Sequence, residues 1–143
     1  MIVLDASVFV KLFREEEGSE GAHTIFRGAL NGQFELVAPE IMKYEVLGVA
    51  VHYAVPFITI ISLINDLHES GFEFLHPTPE EMLLAEAIAT TPAVDGGYAD
   101  LFDSIYHAIA LSRDGMFLTA DPRYVARAGH RGSVQLLGDW QPR

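Results

Sequence analysis

The apolar positions fall into short runs separated by longer stretches with helical spacing. β-Branched and aromatic runs at Ile2–Leu4, Phe34–Val37, Phe72–Leu75, Met116–Thr119 and Val134–Leu137 predict five strands. Pro79-Glu-Glu-Met starts a helix with proline in its first turn and acids near the positive end of its dipole, and Leu83, Ala87 and Ile88 then share one face. Pro56 opens a second helix that runs to His68-Glu-Ser, with Gly71 as its stop; the composition of Phe57-Ile-Thr-Ile-Ile also suits a strand. Leu101, Ile105, Ala108 and Leu111/Ser112 follow a 3.6-residue period that ends near Arg113-Asp-Gly115. Thr91–Gly97 reads as a loop between helices. Regular alternation of strand and helix predicts the α/β class, with a parallel sheet covered on both faces.

The chain has 143 residues, half of them hydrophobic, which suits a single domain over residues 1–143 with one core. It contains no cysteine, so disulfides, thiolate metal sites and a cysteine nucleophile are excluded, and any metal would be held by oxygen or imidazole. Val55–Ile64 is the most apolar window, at about ten residues against the ~20 that cross a bilayer, and reads as core. The opening Met1-Ile-Val-Leu-Asp5 lacks the basic flank and apolar length of a signal peptide, so the expected location is the cytoplasm. A formal net charge of -11 speaks against the broad basic surface with which most nucleic-acid binders replace counterions. Acids converging on divalent cations would offset this, since each ion adds two positive charges where a phosphate would sit.

Candidate chemistry lies in four acids. Asp5 directly follows the first strand and Asp121 closely follows the fourth, and open α/β sheets collect ligands at the carboxyl ends of their strands. Each also has a structural alternative as a helix N-cap, Asp5 before Ala6–Phe13 and Asp121 before Pro122. Asp103 sits in Leu101-Phe-Asp-Ser-Ile-Tyr-His-Ala-Ile-Ala-Leu111, with only Ser104 and His107 as polar neighbours, and Glu45 sits on a helix beside Ile41, Val46 and Val49. Four clustered carboxylates repel one another unless a cation joins them. Magnesium or manganese held there would support in-line phosphodiester hydrolysis without a protein nucleophile.

Taken together, Val-Leu-Asp5-Ala-Ser7-Val-Phe-Val-Lys11, Tyr44-Glu45-Val, Phe102-Asp103-Ser-Ile-Tyr106-His-Ala-Ile-Ala-Leu and Phe-Leu-Thr119-Ala-Asp121 resemble a PIN domain over essentially the whole chain. Their order and spacing are most similar to the compact VapC-type toxins of type II toxin-antitoxin modules. The resemblance implies a PIN-like three-layer α/β/α sandwich with a central parallel sheet of four to five strands. It also implies an endoribonuclease dependent on Mg2+ or Mn2+, a homodimer, and a cognate antitoxin protein lying across the groove over the RNA site. Asp5, Glu45, Asp103 and Asp121 match the family's metal-binding acidic quartet, and Ser7 and Thr119 match its supporting polar residues.

Several neighbouring residues carry weaker signals. Ser7 suits either orientation of Asp5 or a local backbone bond, Asp100 a helix cap, and His107 a packed, hydrogen-bonded role. Lys11, Lys43, Arg113, Arg123 and Arg127 are the cations nearest these motifs in sequence, available to RNA phosphates or an antitoxin's acids. An aspartyl-phosphate phosphatase would need an acid where Ser7 stands, and a receiver-type domain needs consecutive early acids and a late lysine that this chain lacks. The alternative retained is a catalytically inactive PIN-like binding or scaffold module.

Overall fold

The computed structural model describes residues 1–142. In chain order the elements are β1 (Ile2–Leu4), α1 (Ala6–Phe9) with a 3-10 turn at Val10–Leu12, α2 (Ser19–Leu30), β2 (Leu36–Pro39), α3 (Ile41–His52) and α4 (Phe57–Glu69). They continue with β3 (Glu73–Leu75), α5 (Pro79–Thr90), α6 (Leu101–Ser112), β4 (Met116–Thr119), α7 (Pro122–Ala128) and β5 (Val134–Leu136). All strand pairings are parallel, and the order across the sheet is β3-β2-β1-β4-β5. Helices flank the sheet as in a PIN-like α/β/α sandwich. Among the described residues no helix is long and apolar enough to cross a membrane.

Burial follows the strand order. Every residue of β1 and β2 is buried, as is β4 from Phe117 onward, because central strands of a parallel sheet are covered on both faces and have no polar side to show. The edge strands β3 and β5 are only partly covered. From β1 the chain builds outward through β2 to β3, then returns to lay β4 on the other side of β1. The carboxyl ends of β1 and β4 therefore flank the switch point of the sheet, where successive connections leave in opposite directions and open a crevice.

Five strands form where apolar runs predict them, with shifts of one or two residues. Phe34 and Phe72 stay outside the strands; Phe72 is buried against Phe26, their ring centroids 6.4 Å apart. The helix expected over Ala6–Phe13 is shorter, with α1 tightening into the 3-10 turn after Phe9. Pro56–Glu69 resolves toward helix, with Gly71 at φ 99 taking the left-handed conformation that ends it. At the end of α6 the left-handed residue is Asp114, at φ 52, while Gly115 serves a close approach: a Cβ there would stand 2.9 Å from Met1 Cε.

One buried acid ties α5 to α6. The Thr78 hydroxyl accepts the Glu81 amide at 3.1 Å, and Glu81 Oε2 accepts the Thr78 amide at 2.8 Å, a reciprocal cap at the start of α5. Glu81, only 2% exposed, also accepts Arg113 Nε at 2.7 Å and Nη2 at 3.1 Å from the end of α6. The guanidinium and these hydrogen bonds outweigh the burial that acts the other way and hold Glu81 below the usual glutamate range. Arg113→Met is expected to cost about 2 kcal/mol at pH 7, less than a fully buried pair because Arg113 is partly in water. Since Glu81 titrates low in the folded protein, its stabilisation is present above the unfolded glutamate range and fades as pH falls through the folded value. Urea denaturation should show the wild-type advantage shrinking below about pH 4, and an advantage constant down to pH 2 would contradict the pairing.

Candidate active site

The end of β1 meets the end of β4 through hydroxyls. Asp5 is 4% exposed, and its amide donates to Leu118 O at 3.0 Å, continuing the strand pairing by one residue. Ser7 Oγ and Thr119 Oγ1 both donate to Asp5 Oδ2 at 2.6 Å, which leaves the other carboxylate oxygen clear of side-chain donors. The same hydroxyls accept the amides that follow β4, Ser7 Oγ from Ala120 at 3.0 Å and Thr119 Oγ1 from Asp121 at 3.1 Å. Asp5 stands at the N-cap position of α1 without making a capping hydrogen bond. Burial pushes its carboxyl above the usual aspartate value, with the Ser7 and Thr119 hydroxyls and nearby amides opposing the shift.

The other three acids reach this crevice from separate elements. Glu45 stands on α3 and accepts the Tyr106 hydroxyl at 2.7 Å through Oε1. Burial raises its pKa, the hydroxyl works against this, and the charges of Asp5 and Asp100 add to the rise. Asp103 lies in the first turn of α6, where Asp100 caps the helix by accepting the amides of Phe102 and Asp103 at 2.9 and 3.1 Å. Burial, then the charges of Asp5, Asp100, Glu45 and Asp121, push Asp103 up to about 8. Asp121 caps α7 through the Arg123 amide at 2.9 Å. Asp5, Glu45, Asp103 and Asp121 all line one cleft of about 600 Å³.

Donor chemistry in this cleft suits a hard divalent cation: carboxylate oxygens from four segments of the chain, with Asp103 raised to about 8 by burial and then by the charges of the others. The acids lie near enough for their charges to raise Glu45 and Asp103 but are not drawn to a point. Among the described residues no three acid or imidazole side chains stand in an arrangement that could hold an ion as they are. Binding one would require these side chains to close inward.

The neighbouring residues divide cleanly. His107 is fully buried, with Nδ1 3.0 Å from Tyr124 Oη and Nε2 2.6 Å from Gly132 O, and burial lowers its pKa; it packs the fold behind the cleft. Lys11 is buried on Glu16 Oε1 at 2.9 Å and Glu17 O at 2.6 Å, and Arg113 is bound to Glu81. Lys43 lies over the Phe74 ring, and Arg127 donates to Tyr98 O at 2.8 Å. Arg123, 3.8 Å from Asp121 Oδ1, is the one of these five cations paired with an acid of the cleft. Tyr106, His52 and Tyr53 were not singled out by the sequence reading. Helical spacing carries the signal for all three: Tyr106 is one turn beyond Asp103, and His52 and Tyr53 are two turns beyond Glu45.

The family model for the PIN domain matches residues 2–130. No curated protein matches the chain.

The shift on Asp103 has a thermodynamic consequence. Its folded pKa of about 8 lies above its ordinary value of 3.8, so between these values the folded state holds a proton that the unfolded state has lost. In metal-free buffer stability should therefore fall as pH rises from 4 to 8. Asp103→Asn removes that slope: calorimetry should place its Tm roughly 3–6 °C above wild type at pH 8, with the two converging near pH 4. A variant less stable than wild type at pH 8 would contradict the raised pKa of Asp103.

Proposed function

The chain belongs to the PIN-domain family, whose members are generally nucleases, and on that premise we propose that it is a metal-dependent endoribonuclease acting from the cleft at the β1–β4 switch point. The observation that carries the reading is that Asp5, Glu45, Asp103 and Asp121, from separate segments of the chain, line one cleft, where burial and then the charges of the other acids raise Asp103. These four acids are assigned as ligands of Mg2+ or Mn2+, and Ser7 and Thr119 as their supports. When bound, such an ion supplies the positive charge that a phosphodiester and its departing oxygen require.

The chain's own residues supply orientation and proton control. Ser7 and Thr119 fix one oxygen of Asp5 and leave the other clear of side-chain donors. Tyr106, its own pKa raised by burial and by the adjacent carboxylates, stays protonated and holds Glu45 in one rotamer. Asp103, raised to about 8 by burial and by the neighbouring acids, would give up its proton in serving as a ligand. Hydrolysis forms a bond from a water oxygen to phosphorus, breaks the opposite P–O bond, and passes a proton to the leaving oxygen. No serine or cysteine nucleophile takes part.

Similarity to the compact VapC-type toxins extends this reading to a single PIN domain over residues 1–143, working in the cytoplasm as a homodimeric toxin under a cognate antitoxin. Exposed apolar side chains on α3 and α4, among them Val51, Phe57, Ile58 and Ile61, provide surface that a second protein would cover. The second reading, a binding or scaffold module, draws on the open arrangement of the acids among the described residues.

Purified protein incubated with total RNA should give fragments in Mg2+ or Mn2+ and none in chelator. Asp5→Asn and Asp103→Asn are expected to lower the rate about 100-fold or more, with the fold retained by circular dichroism. Cleavage by Asp103→Asn at the wild-type rate would displace the site, and no cleavage by folded wild type in either ion would favour the binding module.

A further inference from the structure

Beside the acids the cleft changes character. Gly48 lies in the interior of α3, three residues beyond Glu45, and lines the same cleft. Glycine is a poor residue for the middle of a helix, and the fold gives no reason for it here: its φ is not positive, and an added Cβ would meet no atom within 4 Å. Gly48 shares the lining of this cleft with Val10, Val49, His52 and Tyr53. The His52 and Tyr53 side chains are exposed, with ring centroids 4.7 Å apart and planes at 85°.

The aromatic end is braced. Arg14 places its guanidinium 3.7 Å from the Tyr53 ring centroid and is itself paired with Glu16, which also takes Lys11 at 2.9 Å. These two cations are committed to Glu16, so this flank offers apolar and aromatic surface rather than free positive charge. Such a surface suits a flat heteroaromatic ring better than a phosphate.

We propose that this trough is a nucleobase subsite: it seats a base next to the scissile phosphate, with Gly48 leaving the helix face open to the ring, one of the two perpendicular rings of His52 and Tyr53 stacking on it and the other meeting it edge-on. The subsite rests on the nuclease reading, which places the phosphate at the acids. It also addresses the charge of the chain, since a protein with 20 acidic and 9 basic residues draws little affinity from phosphates. Recognition then leans on bases in single-stranded RNA, and binding weakens only shallowly with salt.

The test compares a mixed-sequence RNA of about eight nucleotides with a same-length chain of abasic ribose phosphates, by fluorescence anisotropy in Ca2+ at several salt concentrations. Wild type should bind the RNA about tenfold more tightly. Gly48→Leu, whose Cβ meets no neighbour and whose isobutyl group takes up space in the trough, and Tyr53→Ala should each remove that preference, and Tyr53→Phe should retain it. Melting temperatures establish that the variants are folded. Equal affinity of wild type for the two ligands, or a preference unchanged in both Gly48→Leu and Tyr53→Ala, overturns the subsite and leaves the nuclease reading standing. No binding of either ligand in Ca2+, Mg2+ or Mn2+ overturns the subsite and the nuclease reading together.

Discussion

The parallel pairing of β1 with β4 is the constraint on which the cleft depends. It joins residues more than a hundred positions apart, and the Asp5 amide on Leu118 O carries the pairing to the point where the strands stop. Beyond that point Ser7 and Thr119 lace the two ends together through Asp5 and the following amides. Strand order makes this junction a crevice, because β2 and β3 build away from β1 on the side opposite β4. α3 and α6 then bring Glu45 and Asp103 to the same opening. A slip of one residue between β1 and β4 would turn the alternating side chains to the other face and separate Asp5 from Thr119.

Carboxylates in this protein meet two opposite fates. Glu81 and Glu16 are paired with cations and titrate low. Asp5, buried, and Glu45 and Asp103, partly buried near it, have their pKa values raised. Folding thus commits Lys11, Arg14 and Arg113 to structural partners while the cleft keeps acids that oppose its own closure. Such an arrangement costs stability in the free protein, and a cation bound to the folded state would repay it.

Much of the architecture is legible from periodicity, because a parallel sheet needs strands apolar on both faces, and short runs such as Val3-Leu4 and Phe117-Leu118 meet that need. Boundaries are less legible where tertiary packing overrides local preference. Phe34 and Phe72 have strand character, yet each packs beside a strand rather than in it, Phe34 edge-on to Trp140 and Phe72 along Phe26. At the cleft, position after a strand points to Asp5 and Asp121 only as a pair, since each alone also reads as a helix cap, and an acid in an apolar helix points to Asp103 and Glu45 only in their company. Which role Ser7 plays was not decidable from sequence, since its two partners belong to different segments; in the fold it donates to Asp5 and accepts from Ala120. Tyr106 is marked only by its spacing one turn beyond Asp103, and Gly48 is silent until the cleft shows what lies beside it.

The central claim is that repulsion among these acids is relieved by a divalent ion. Calorimetric titration of Mn2+ at pH 7, in buffers of different ionisation enthalpy, tests it directly. Asp103 holds its proton at that pH and must lose it when the ion binds, so the account predicts saturable binding with release of about one proton, declining as the pH is raised toward 9 and absent in Asp103→Asn. Binding whose heat does not depend on the buffer, or no binding at all, would contradict it.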